Sequence, residues 1–401
     1  MQYAIDPRTG NSLSVLGFGC MRFPRDQGRT EKLVIAAVDA GVNYFDTAYV
    51  YGNSEATLGT IMHKNGLRGK IHLATKLPHQ MCKSYDDFDT LFNEQLGRLR
   101  TSYIDYYLIH NISEISKWRD LCDIGIEKWI DEKKAKGQIK QIGFSFHGTR
   151  DGFLALIDAY DWDFCQIQYN YMDENYQAGR TGLRKAHEKG LPVIVMEPLL
   201  GGKLADGLPP KAAKLFKEYD AQRSAAAWGF RWLWDQPEVT VVLSGMNSAA
   251  QLEDNLESAQ HAKPKMLADD EAAVYKPVVA ALREAYKVPC TGCNYCMPCP
   301  SGVNIPGCFA AYNTMQAMGF VSGLTQYVTG TGANDPDRKS RAIFCTKCGA
   351  CEKKCPQNIA IPKTLAVVAK RMEPFWFNTA LWIIRKYMGR GVKSRSPKPV
   401  A

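Results

Sequence analysis

The amino-acid sequence predicts an α/β protein: a (β/α)8 barrel followed by a small, largely helical, cysteine-rich domain. Three observations carry this. Eight short apolar runs alternate with amphipathic stretches over roughly the first 260 residues. The gaps between runs each have room for one helix. From about Ala281 the composition changes to cysteine, proline and glycine. Alternating strand–helix units imply a parallel sheet, and eight of them in a chain of this length match a closed barrel in size.

The runs are Val15–Gly19, Val42–Asp46, Ile71–Thr75, Ile104–His110, Ile139–Ser145, Phe164–Tyr169, Pro192–Met196 and Val239–Ser244. Several junctions share one grammar: a helix ends, a glycine follows, and a strand begins. Gly41, Gly137 and Gly190 occupy that place, where the chain needs the left-handed conformation other residues resist. Thr30 fits the N-cap of the helix that Gly41 ends. An open, doubly wound sheet is the alternative, but Gly17 and Gly19 have no third glycine in register to open a dinucleotide-binding turn. The expected domains are 1–280 for the barrel, 281–370 for the cysteine-rich part and 371–401 for an amphipathic helix with a basic tail.

Composition narrows the class. With 45% apolar and 23% charged residues, the chain reads as an ordinary globular protein. No apolar run reaches the roughly 18 residues a membrane span needs. The first residues lack the basic-then-apolar pattern of a secretory leader, so the expected compartment is the cytoplasm. The net charge is +9. From Arg371 to Ala401, seven basic residues oppose only Glu373, which places +6 in the tail. No groove-reading motif accompanies that charge, so nucleic acid is not the expected partner.

Cys20, Cys82, Cys122 and Cys165 are scattered singly, while the other nine of thirteen cysteines crowd between Cys290 and Cys355. Such crowding reads as metal binding in a reducing compartment rather than a disulfide framework. The first run is Cys290, Cys293, Cys296 and Cys299, followed by Pro300. The second is Cys345, Cys348, Cys351 and Cys355, followed by Pro356. The segments after them match as well, 299–306 against 355–362. Three cysteines in step wrap a loop around one corner of a cubane, and a fourth ligand comes from farther away. Structural zinc is the alternative.

This module resembles two-cluster ferredoxins. The resemblance implies two [4Fe–4S] clusters with crossed ligands. One would use Cys290, Cys293, Cys296 and Cys355. The other would use Cys345, Cys348, Cys351 and Cys299. The first run has two residues before its last cysteine where three are usual, and Cys308 is a nearby spare.

Asp46, Lys76 and His110 fall at the ends of early runs, and Tyr51 follows Asp46 by five residues. In a barrel, strand C-termini open onto the active-site face, where these residues would converge. The arrangement resembles the aldo-keto reductase superfamily, a TIM-barrel family, over about residues 1–280. The resemblance implies a tetrad of Asp46, Tyr51, Lys76 and His110 that reduces a small-molecule carbonyl. Free tyrosine, with a pKa of about 10, is a weak acid at neutral pH, and a neighbouring ammonium stabilises the phenolate. Lys76 would take that part, Asp46 would hold it, and His110 would orient the carbonyl. His147 and Arg22 are weaker candidates.

The same resemblance implies a nicotinamide site. Ser145 and Gln168 would meet the carboxamide. Glu197, Pro198, Leu199, Gly201, Gly202 and Lys203 would form the loop over the pyrophosphate, where paired glycines let backbone approach phosphate. Ser244, Gly245, Met246, Asn247, Gln251 and Asn255 would hold the adenosine end. Many NADP-dependent members carry an arginine after the Ser-Gly element; this chain has Met246, Asn247 and Ser248. The cofactor therefore stays open between NADP(H) and NAD(H), with flavin not excluded.

Nicotinamides deliver two electrons as hydride, whereas a cluster passes one at a time. Three readings follow: a carbonyl reductase with structural or sensing clusters, an electron-transfer reductase serving a ferredoxin or flavoprotein partner, and a non-enzymatic redox sensor. At the C-terminus, Phe377, Leu381, Ile384 and Met388 recur at helical spacing beside Trp376, Ala380, Ile383 and Tyr387. The expectation is packing on the cysteine-rich module, with contact to a membrane surface or a partner as the alternative.

Overall fold

The structure is a computed structural model, and it describes residues 1–333, 339–379 and 381–382. It opens with a short antiparallel hairpin, β1 (Tyr3–Ile5) and β2 (Ser12–Ser14). Eight parallel strands follow: β3 (Leu16–Gly19), β4 (Tyr44–Asp46), β5 (His72–Leu77), β6 (Ile104–Ile112), β7 (Ile139–Phe146), β8 (Phe164–Gln168), β9 (Val193–Met196) and β10 (Val241–Ser244). Each pairs with its neighbour in sequence, and β10 pairs in parallel with β3 to close the ring, with Val242 opposite Leu16. Closure excludes the open-sheet alternative. Each of the eight predicted runs overlaps one of these strands, and β5, β6 and β7 extend one or two residues past theirs.

The runs are continuous rather than alternating because both faces of a barrel strand are covered. The outer faces pack under the helices, where Phe45, Tyr107, Phe144 and Trp129 join one large apolar core. Inside the ring, Tyr44, Tyr106, Phe164 and Leu243 form a second core, joined by Leu13 of the hairpin. Tyr106 and Phe164 meet edge to face with centroids 5.1 Å apart. Aromatic bulk thus fills the interior, while the polar inward residues gather at the strand C-termini.

The helix-ending glycines behave as expected, with positive φ at Gly41, Gly137 and Gly190. The N-cap expected at Thr30 is displaced. The helix Gln27–Asp39 is capped by Asp26, whose carboxylate accepts from Arg29 N at 3.0 Å. Thr30 lies one turn inside, and its hydroxyl donates back to Asp26 O at 3.0 Å. A threonine within a helix satisfies itself in this way.

The chain divides into two compact units, Met1–Leu208 with Leu215–Lys276, and Pro209–Lys214 with Pro277–Ala401. The division falls inside the helix Asp269–Ala285, at Pro277. The second unit is built on the helices Ile305–Met318, Phe320–Thr331 and Ile361–Met372 around Phe309, Tyr327 and Leu365. Phe377 and Leu381 join that core, each 2% exposed, as the helical spacing predicted. Ala380, Ile383, Ile384, Tyr387 and Met388 lie outside the described residues.

Candidate functional site

Six strands contribute to the barrel's polar rim at their C-terminal ends. Asp46 ends β4, Lys76 is the penultimate residue of β5, and His110 lies two residues before the end of β6. Ser145 and Gln168 lie at the ends of β7 and β8, and Ser244 ends β10. Glu197 follows β9 directly.

Lys76 is fully buried and Asp46 is 4% exposed. The Nζ of Lys76 donates to Asp46 Oδ1 at 2.6 Å and to Thr47 O at 2.7 Å. The other oxygen, Asp46 Oδ2, accepts from Gln166 Nε2 at 2.9 Å. Both oxygens of the carboxylate are therefore occupied, which a buried charge requires. Lys76 Nζ lies 5.1 Å from the centroid of the Tyr51 ring. Tyr51 meets the His110 ring edge to face, with centroids 5.9 Å apart. The four residues implied by the resemblance thus share one place.

The histidines here are held neutral. Burial drives the His110 pKa well below the usual imidazole value, with Lys76 adding to the effect. Burial likewise brings His79 and His147 down to about 4. His79 Nδ1 lies 2.7 Å from His110 O, and a carbonyl only accepts, so Nδ1 carries the proton there.

Along the rest of the rim, Ser145 Oγ accepts from Asn111 N at 2.8 Å. Gln168 donates to Asp173 at 2.9 Å. The segment Glu197–Gly202 passes through positive φ at Glu197, Leu200, Gly201 and Gly202. Beyond its two chain neighbours, no heavy atom lies within 4 Å of where a Cβ of Gly202 would stand, so its backbone is open to close approach. Pro198 and Leu199 belong to the same segment, and Lys203 caps its short 3-10 turn Leu200–Gly202. Ser244 Oγ accepts from Asn255 at 2.9 Å, and Gln251 Oε1 accepts from Asn247 N at 3.0 Å. Met246 is buried in the outer core, so any contact it makes with a ligand is through its backbone. Arg22 joins the two glycine-containing segments: it donates to Gly201 O at 3.1 Å, and its side chain lies against Gly245.

Sequence reasoning missed Gln166, two residues before Gln168 and on the same face of β8. It also missed Glu55, which is fully buried and accepts from Thr75, Gln95 and Arg98. Gln95 in turn donates to Lys76 O at 3.1 Å, so this cluster braces β5 from behind.

In the second unit, Cys290, Cys293, Cys296 and Cys355 line one cavity. Cys299, Cys345, Cys348 and Cys351 line another, and Ile305 borders both. Each cavity thus takes three cysteines from one run and the last from the other. Every spacer within the triplets has one residue in the left-handed region: Gly292, Asn294, Lys347 and Gly349. These reversals curl the backbone so that successive thiols face one space. The donor set is all sulfur, spread around a cavity, which suits iron–sulfur clusters. Cys308 lines neither cavity; its thiol is buried 3.8 Å from Ser340 O.

A closed parallel barrel with its polar groups at the strand C-termini, joined to a domain of two crossed cysteine runs, defines a class: a TIM-barrel enzyme carrying an iron–sulfur domain. Comparison with known proteins gives the family. Residues 15–272 match the aldo/keto reductase family and residues 289–361 match the 4Fe-4S dicluster domain. The chain belongs to the aldo/keto reductase family, and it is an oxidoreductase of that type with a 4Fe-4S dicluster domain. It is 27% identical over 277 residues to the 6-dehydroglucose reductase of Novosphingobium aromaticivorans, covering 62% of this chain and 88% of that one. It is 24% identical over 303 residues to the uncharacterized oxidoreductase YrpG of Bacillus subtilis, covering 65% and 91%. The fold is similar to that of aldo-keto reductase AKR11C1 from Bacillus halodurans in its holo form, with a TM-score of 0.58 and 24% identity over 69% of this chain and 96% of that one. No helix among the described residues is long and apolar enough to cross a membrane.

Proposed function

We propose that the barrel reduces a carbonyl compound with NADH or NADPH, with Tyr51 as the proton donor, and that the second unit holds two [4Fe–4S] clusters. The observation that carries the first part is the Lys76 ammonium, fixed at 2.6 Å from Asp46 and 5.1 Å from the Tyr51 ring centroid.

Ser145, Gln168, the segment Glu197–Lys203 and Ser244–Asn255 would hold the nicotinamide nucleotide, which supplies a hydride when bound. Tyr51 O–H donates to the carbonyl oxygen and gives up its proton as negative charge develops there. The Lys76 ammonium stabilises the phenolate left behind. Asp46 and Thr47 hold that ammonium in place, and Gln166 holds Asp46. His110, kept neutral by burial, donates one N–H to the same oxygen without competing as an acid.

Tyr51→Phe is the test. Removing a general acid costs about 100- to 10,000-fold in kcat. The expected outcome is a loss of that order in NAD(P)H-dependent reduction of small aldehydes and ketones, with the circular dichroism spectrum unchanged. Turnover within twofold of the parent would overturn the assignment.

The two cysteine quartets favour a second reading of the whole protein, as a reductase that exchanges electrons with a ferredoxin or flavoprotein. Clusters supply single electrons. Anaerobic mixing with NAD(P)H, followed by the visible spectrum of the clusters, separates the readings: bleaching supports exchange, and steady carbonyl turnover with unbleached clusters opposes it.

A further inference from the structure

The second unit presents an apolar face that its own core does not explain. Met318, Phe320 and Val321 are exposed at one helix junction, Val321 to 77%. Phe375 is exposed to 97% in the segment after the helix Ile361–Met372, and Trp376 follows it, also exposed. These are one patch, because the Phe320 and Trp376 rings meet edge to face with centroids 6.2 Å apart. The aromatics are held outward by their neighbour. Phe377 is buried against Tyr327 at 6.0 Å between centroids, which fixes the backbone that carries Phe375 and Trp376. Contiguous exposed apolar surface of this kind marks an interaction site.

The exposed charge on the helix leading into the patch is basic, and Glu373, the acidic residue beside it, is paired with Arg341 at 2.8 Å. Lys363, Lys370 and Arg371 are exposed on that helix. The segment Met315–Gln326 contains no charged residue. Beyond it in sequence, residues 383–401 carry Arg385, Lys386, Arg390, Lys393, Arg395 and Lys398 and no acidic residue. Glycine, serine and proline separate the later cations, a spacing that suits diffuse negative charge rather than a fixed set of carboxylates.

We propose that this face docks on an anionic lipid surface, with Phe320, Val321, Phe375 and Trp376 entering the headgroup region and the basic residues meeting the lipid phosphates. Tryptophan and phenylalanine partition into that interface, and polybasic segments add attraction that salt screens. No described helix is long and apolar enough to span a bilayer, so the contact is peripheral.

The experiment uses the full chain, purified anaerobically, and sedimentation with vesicles. One set is phosphatidylcholine alone, and the other is phosphatidylcholine with phosphatidylglycerol. The expected result is binding to the anionic set only, with a blue shift of tryptophan fluorescence. Raising salt should weaken it by about tenfold or more. Phe375→Asp combined with Trp376→Asp should abolish most of it while leaving iron content unchanged, since both side chains lie outside the core. Equal binding to neutral vesicles, no binding at low salt, or an unaffected double variant would each overturn the proposal. Stronger binding to soluble polyglutamate than to anionic vesicles would also overturn it, assigning the face to an acidic protein instead.

Discussion

His147 Nδ1 lies 3.2 Å from Gln177 Oε1. That contact ends a chain with a fixed direction. Asp173 can only accept, and it takes a hydrogen bond from Gln168 Nε2 at 2.9 Å. Gln168 Oε1 then accepts from Gln177 Nε2 at 2.5 Å, which turns Gln177 Oε1 toward the histidine. An amide oxygen also only accepts, so Nδ1 carries the His147 proton and Nε2 is an acceptor. Nitrogen-15 NMR of labelled protein should show His147 as the Nδ1–H tautomer. An Nε2–H signal would contradict the chain.

Protonation of His147 should appear in stability. Its pKa falls from 6.5 to about 4 in the folded protein, chiefly through burial. The unfolded chain therefore binds a proton through pH 6.5 that the folded one refuses until about pH 4. Stability from this group is complete above the unfolded value and is lost as pH falls toward 4. The loss is on the order of 3 kcal/mol. His147→Gln should flatten the fall in Tm between pH 6.5 and 4 relative to the parent. An unchanged slope would remove His147 from the acid response. His79, also lowered to about 4, should behave alike and independently.

Lys76 and Asp46 form a buried pair whose members depend on each other. Lys76→Met leaves a carboxylate that is 4% exposed without its cation. Breaking a buried pair on one side costs about 3–5 kcal/mol. Urea denaturation should show a loss of that size, and adding Asp46→Asn should recover part of it. A single variant within about 1 kcal/mol of the parent would mean that Gln166 alone satisfies Asp46.

Arg22 touches both segments assigned to the nucleotide, through Gly201 O at 3.1 Å and the packing against Gly245. Arg22→Met should loosen their spacing and raise the Kd for NADH and NADPH together, by about tenfold if one charge-assisted hydrogen bond is lost. The kcat of saturated enzyme should hardly move. A selective loss of NADPH affinity would show instead that Arg22 meets the 2′-phosphate directly.

The strands were legible because burial on both faces leaves continuous apolar runs, and the helix ends because only glycine takes φ near that of Gly41, +91°, without strain. The hairpin β1–β2 left no signal, since strands of three residues have no period to read. Gln166 carried half a signal, the two-residue step to Gln168 on one strand face. Its partner Asp46 is 120 residues away, and only closure of the ring brings them together. The Asp46, Tyr51, Lys76 and His110 group was legible through family resemblance, whereas the brace of Glu55, Gln95 and Arg98 behind β5 was not. Those residues are ordinary helix-surface types whose burial is decided by tertiary packing.

The cysteine spacing left the fourth ligand of the second quartet open between Cys299 and Cys308, because the first run is one residue short. The structure separates them. Cys299 lines the cavity with Cys345, Cys348 and Cys351, whereas Cys308 is turned into the core toward Ser340 O. Cys299→Ser should therefore cut iron and acid-labile sulfide per chain by up to half in anaerobically purified protein, while Cys308→Ser should leave both unchanged. Cys355→Ser should remove the other half, together with the visible absorption that survives in Cys299→Ser. If Cys299→Ser and Cys355→Ser instead removed the same spectral component, the crossed arrangement of the two runs would be wrong.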